Sequence, residues 1–122
     1  MYETKAHPER GYLHIRIVGL MHMSEAEEAV AAVLAEGRKL ARGFAIINDI
    51  SEARPTSPEV SERIKEAQAA LFQMGASKVI RVVSPDAATT MLQYARTQRE
   101  AHAGYESYLA VSLEDALGLL DR

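Results

Sequence analysis

Cysteine is absent from the 122 residues, which excludes disulfides, a thiolate nucleophile and thiolate metal ligation. Nucleotide-binding and hydrolase signatures are missing too. There is no Gly-x-Gly-x-x-Gly, no phosphate-binding loop ending in Gly-Lys-Ser/Thr, and no Gly-x-Ser-x-Gly elbow. The four histidines, His7, His14, His22 and His102, never pair at the i, i+4 spacing of a helical zinc motif. No metal site, no cofactor and no catalytic residue is therefore expected, and the chain reads as a non-enzyme. Long apolar runs are lacking, so no membrane span is expected. The opening Met1-Tyr2-Glu3-Thr4-Lys5 has no basic region followed by an apolar stretch, so no signal peptide is expected either. A cytoplasmic protein is the simplest expectation. Net charge is −3 with no basic block, which argues against nucleic acid as the main partner.

What is present is an orderly alternation of strand and helix patterns. Tyr2 to Ala6 reads as a first strand, and His7-Pro8-Glu9-Arg10-Gly11 as a turn. Tyr12 to Val18 alternates, with Leu13, Ile15 and Ile17 on one face and Tyr12, His14 and Arg16 on a wetter one. Two strands around a short turn predict an antiparallel hairpin. Ser24 with Glu27 reads as a capping box opening a helix that Gly43 ends. Its apolar residues Ala29, Val30, Val33, Leu34, Gly37, Leu40 and Ala41 recur at helical spacing. Phe44-Ala45-Ile46-Ile47 suits a central strand covered on both faces.

Ser57 as cap and Pro58 at the first helical position open a second helix, with Val60, Ile64, Ala67, Leu71 and Met74 as its stripe and Gly75 as its stop. Val79 to Val83 is the next strand. Ser84-Pro85-Asp86 opens a third helix with Ala88, Met91, Leu92 and Ala95 toward the core, ended by His102 and followed by Gly104. Tyr105 to Val111 is the last strand, and Ser112 with Asp115 caps a short final helix carrying Leu113, Ala116, Leu117 and Leu120. The order is β-β-α-β-α-β-α-β-α. Helical crossovers make parallel neighbours, so the expected product is an α/β fold with a mixed sheet whose first strand is antiparallel at an edge. No repeat, linker or low-complexity tract divides the chain, and residues 1–122 read as one domain.

One segment stands out chemically. Asn48 to Glu59 joins the central strand to the second helix, is polar, and carries Pro55, Pro58 and the hydroxyls of Ser51, Thr56 and Ser57. Ligands of parallel α/β sheets gather beyond the carboxyl ends of strands, and a helix N-terminus there offers N–H groups and partial positive charge. Asp49, Ser51, Arg54, Thr56, Ser57, Glu59 and Arg63 are the candidate partner-binding or phosphoacceptor residues. The same residue types also serve caps and turns in any fold. Glu59 and Arg63 are spaced for a helical ion pair. A phospho-receiver shares the alternation but needs an acidic pair after an early strand, where this chain has Val18-Gly19-Leu20.

The element order, the strand ending Ile46-Ile47-Asn48-Asp49-Ile50-Ser51, the Gly75 to Val83 turn and strand, and the closing Ser112-Leu113-Glu114-Asp115-Ala116-Leu117 together resemble the STAS domain, the sulfate transporter and anti-sigma factor antagonist family, in its stand-alone bacterial SpoIIAA-like form. That resemblance implies a SpoIIAA-like mixed sheet and a regulatory domain that docks a protein partner of the anti-sigma kinase type. It also implies a phosphorylated serine at the start of the second helix, within an Asp-Ser-Ser/Thr-Gly run. Here Thr56-Ser57-Pro58-Glu59 stands in that place, so Ser57 is the nearest hydroxyl, and the aspartate and glycine are missing. A divergent branch resembles Sec14-type lipid-transfer domains, which makes an amphiphile or membrane-binding carrier the alternative. The methionine-rich Leu20 to Met23 loop suits that role and plain packing equally. A homodimer, through the edge strand or the face bearing Tyr12, His14 and Arg16, is a further expectation between whose surfaces the sequence does not choose.

Overall fold

Alternating apolar residues at the start of the chain form a hairpin in the computed structural model, which describes residues 1–54, 56–84 and 106–121. Strand β1 (Tyr2–His7) pairs antiparallel with β2 (Tyr12–Gly19), from Tyr2 opposite Ile17 to His7 opposite Tyr12. Helix α1 (Met23–Gly37) leads to β3 (Ala45–Ala53), α2 (Pro58–Gln73) to β4 (Lys78–Val82), and β5 (Glu106–Ala110) to the short α3 (Leu113–Gly118). The five strands lie in the order β1-β2-β3-β4-β5. From β2 onward every neighbouring pair is parallel, and β1 is the antiparallel edge, as the element order predicts. The third helix expected from Ser84-Pro85-Asp86 onward, with His102, Gly104 and the Tyr105 start of the last strand, lies outside the described residues.

Both faces of the sheet are covered. On one, Leu13, Ile46 and Val79 pack beneath Val33 of α1 and Leu71 of α2, with Phe44 closing the end. On the other, Tyr12, Ala45, Ile47, Ile80 and Val82 pack against Ala116 of α3. A smaller cluster of Met21, Ala26, Ala29 and Val60 holds the N-terminal halves of α1 and α2 together. Burial on both sides is why the middle strands read as nearly continuous apolar runs.

Four local expectations are corrected. Helix α1 starts two residues early: His22, not Ser24, is its N-cap, and Ser24 makes no capping hydrogen bond, so the Ser24–Glu27 box does not form. Its first turn is closed instead by the Ala26 N–H donating to the His22 carbonyl (2.9 Å), just after Met21 buries itself in the core. Helix α1 also stops at Gly37 rather than Gly43. Leu40 and Ala41 belong to a loop whose Gly43 N–H donates to the Gly75 carbonyl (2.7 Å), and reaching that bond requires the chain to leave the helix earlier. Strand β3 continues well past Ile47 to Ala53. The Tyr12, His14 and Arg16 face is not simply wet: Tyr12 is buried in the cluster around Ala116 of α3, and His14 and Arg16 are half-buried.

Candidate partner-binding corner

Asp49 and Ser51 fall inside β3, not in a loop. Arg16 of β2 lies opposite Asp49, yet Val18 lies opposite Glu52, so β3 spends one residue more than its neighbour and forms a bulge. One carboxylate oxygen, Asp49 Oδ1, accepts from both the Ser51 N–H (3.0 Å) and the Ser51 hydroxyl (2.6 Å). The Asp-apolar-Ser element is thus a side-chain staple across the bulge, satisfying a donor that the irregular ladder leaves over. Arg16 crosses the same irregularity to pair with Glu52 at 2.9 Å. His14, nearby on β2, is held below the usual histidine range chiefly by burial, with Asp49 pulling the other way.

The corner proper lies beyond the strand. The Arg54 N–H donates to the Gly19 carbonyl (3.1 Å), and the Thr56 hydroxyl donates to the Met21 carbonyl (2.8 Å). These bonds tie the connection before α2 to the connection before α1, so two helix N-termini open side by side. Ser57 caps α2, its hydroxyl accepting from the Val60 N–H at 3.3 Å, as the Ser-Pro signal predicts. Ser57 and Glu59 are exposed, and Glu59 has no ion-pair partner among the described residues. The expected Glu59–Arg63 pair does not form. Arg63 instead reaches Glu27 of α1 at 2.9 Å and Glu66 at 3.3 Å, because the packing of α1 against α2 places a stronger partner in range. Of the seven candidates, Arg54, Thr56, Ser57 and Glu59 form one rim, Arg63 is committed a turn below it, and Asp49 with Ser51 braces the strand behind.

The tertiary contacts bring exposed apolar residues to that rim. Leu20 is 50% exposed and Met23 39%, whereas Met21 between them is buried. The sequence marked this loop for its methionines, but not its place beside Ser57, which depends on a hydrogen bond between residues 35 apart. Among the described residues no cluster of three or more histidine, aspartate or glutamate side chains is arranged to hold a metal ion. Nor is any described helix long and apolar enough to cross a membrane.

No family model matches this chain, and no curated protein matches it. Among solved structures it is similar to an uncharacterized protein of the DUF3478 family with a SpoIIAA-like fold from Shewanella loihica PV-4. That match has 14% identity, covers 98% of this chain and 92% of the other, and has a TM-score of 0.74. An anti-sigma factor antagonist from Mycobacterium paratuberculosis matches at 17% identity over 100% of this chain and 96% of its own, with a TM-score of 0.56. At such identities the likeness is one of fold: the chain has the SpoIIAA-like, STAS-type fold that its strand and helix order implied.

Proposed function

We propose that this chain is a non-catalytic regulatory domain that docks a protein partner through the corner formed by Arg54, Thr56, Ser57 and Glu59, with Leu20 and Met23 as apolar anchors. The carrying observation is the Thr56 hydroxyl on the Met21 carbonyl, which sets an exposed helix cap beside two exposed apolar side chains on a braced backbone. A partly apolar, pre-organised patch with a polar rim is what a protein interface requires. The anti-sigma factor antagonist with the same fold supports a regulatory role. Ser57 is the residue at which such docking is switched. Its hydroxyl is exposed, and a phosphate there would add about two negative charges at a helix N-terminus beside Glu59.

The carrier alternative gains no support from the cavity beneath α1 and α2. That space, lined by residues including Ile17, Met21, Val30 and Ile64, holds about 50 Å³, several-fold below the roughly 300 Å³ at which small-molecule pockets begin. The test is capture of partners from source-organism lysate on immobilised wild-type, Ser57→Ala and Ser57→Asp protein. We expect Ser57→Asp to keep its fold, since aspartate also caps helices, while losing most of the captured partner. Equal capture by all three proteins overturns the reading.

A further inference from the structure

Strand β1 is outermost in the sheet, with β2 on one side and an open edge on the other. The Val18 N–H donates to the Met1 carbonyl at 2.9 Å, whereas the Ala6 N–H turns away from β2 to the Glu36 carboxylate, also at 2.9 Å. Antiparallel ladders alternate residue by residue. Glu3, Lys5 and His7 therefore direct their backbone groups at β2, and Tyr2, Thr4 and Ala6 direct theirs outward. Apart from Glu36, no partner for these outward groups is found among the described residues. An edge of this kind is a template for another strand.

The strand best matched to it is a second copy of itself. When two β1 strands pair antiparallel about a two-fold axis at Thr4, each Thr4 meets its equivalent and exchanges N–H and carbonyl bonds with it. Tyr2 then meets Ala6 of the second copy, and Glu3 meets Lys5. Opposed residues that share no backbone bond lie closest in such a ladder, so both Glu3–Lys5 contacts set unlike charges against each other at short range. Glu3 and Lys5 are exposed, and neither forms an ion pair among the described residues. Moving the axis by one residue sets Glu3 against Glu3 or Lys5 against Lys5, which is unfavourable. Charge thus selects one register.

Helix α1 carries the same two-fold pattern. Glu25 reaches the Met1 nitrogen at 3.2 Å, and Glu36 reaches the Ala6 N–H. From Glu25 to Glu36 the helix advances eleven residues, and from Met1 to Ala6 the strand advances five. At about 1.5 Å and about 3.3 Å per residue, both span about 17 Å. Helix α1 therefore runs alongside β1 in the same direction, with Thr4 level with Ala31 and Ala32. The axis brings two α1 helices past each other antiparallel at Ala31, Ala32 and Ala35, whose small side chains let helices approach to about 8 Å. It also sets Glu25 and Glu28 at the start of one helix near the exposed Arg38 and Lys39 at the end of the other. The Thr4 hydroxyl, buried without a partner among the described residues, lies beside the axis, where rotation about its χ1 brings it to the hydroxyl of the second copy.

We propose that β1 is the interface of a two-fold symmetric homodimer, two copies joining edge to edge about Thr4, and that the Glu36 carboxylate competes with this pairing by holding the Ala6 N–H in the single chain. The pairing stands whatever the Ser57 corner binds.

Sedimentation equilibrium at low salt, from micromolar to millimolar protein, tests it. Wild type is expected to show a monomer–dimer equilibrium that Glu36→Ala tightens. Glu3→Lys and Lys5→Glu are each expected to weaken it about tenfold, and Glu3→Lys/Lys5→Glu together to restore it. Hydrogen exchange of the wild-type protein reads the geometry without any variant: the outward Thr4 N–H should exchange more slowly at dimer-forming concentration than in dilute solution. Monomer alone in both wild type and Glu36→Ala overturns the proposal. So does a dimer that the combined charge exchange fails to restore. A dimer that leaves Thr4 exchange unchanged is joined through another surface, such as the face bearing Tyr12, His14 and Arg16, and overturns it as well.

Discussion

Asn48 shows how much one side chain can depart from its surroundings. It sits in the row Thr4, Ile15, Asn48, Arg81 beneath the helices, and its Oδ1 is buried without a hydrogen-bond partner among the described residues, as is the Thr4 hydroxyl. Asn48 also lines the small apolar cavity under α1 and α2. A buried unsatisfied oxygen costs about 1–3 kcal/mol. Asn48→Leu, of similar size, is therefore expected to stabilise the protein by about 1 kcal/mol, and chemical denaturation will measure it; a loss of stability would mean that Asn48 has a polar partner in solution. His14 supplies a pH dependence. Burial lowers its folded pKa below the unfolded value, so the neutral ring's contribution is fully present above the unfolded value of about 6.5 and is lost as pH falls through the folded one. His14→Gln is expected to flatten the stability profile across that mildly acidic window, while leaving stability near pH 8 little changed.

At the scale of elements, junctions matter more than propensities. Helix α2 begins where Ser57 and Pro58 say it should, because a cap and a ring-locked φ act locally. Helix α1 does not obey its apparent box, because the burial of Met21, Ala26 and Ala29 decides where the chain enters the helix. The turn from α2 to β4 depends on Gly75, whose φ of 113° is a region that L side chains rarely adopt and whose missing Cβ admits Arg42. Gly75→Ala is expected to destabilise by about 2 kcal/mol or more, measured as a fall in thermal midpoint.

The molecule as a whole must protect its sheet edge and distribute its charge. Strand β1 is an outer strand, and α1 reaches over it: the Glu36 carboxylate accepts from the Ala6 N–H at 2.9 Å and pairs with Lys39. These two hydrogen bonds, Lys39 first, hold the Glu36 carboxyl below its ordinary value. The contribution is complete above the ordinary glutamate value of about 4.3 and disappears as pH falls through the lowered one. Glu36→Ala is expected to speed hydrogen exchange at the Ala6 amide at neutral pH and to increase concentration-dependent self-association through the freed edge. Unchanged exchange would show that the carboxylate does not guard it. The modest net charge hides a local excess of one sign, since α1 carries Glu25, Glu27, Glu28 and Glu36 with no cation.

Much of this was legible in the residues alone. Hydrophobic periodicity, the Ser57-Pro58 cap and the Gly75 stop act over a few residues, so they determined the order of the described elements, the antiparallel edge and the parallel core without reference to anything distant. The cap at Ser57 belongs to that class. The rest depended on contacts between residues far apart in the chain. Whether Asp49 and Ser51 lie in a loop or across a strand bulge depended on the register against β2, and Arg63 chose Glu27 over Glu59 through helix packing. Leu20 and Met23 joined the corner through one bond from Thr56. Local signals specify elements because the backbone answers to its nearest neighbours; only tertiary structure decides which distant side chains share a surface, and it is on such surfaces that binding is built.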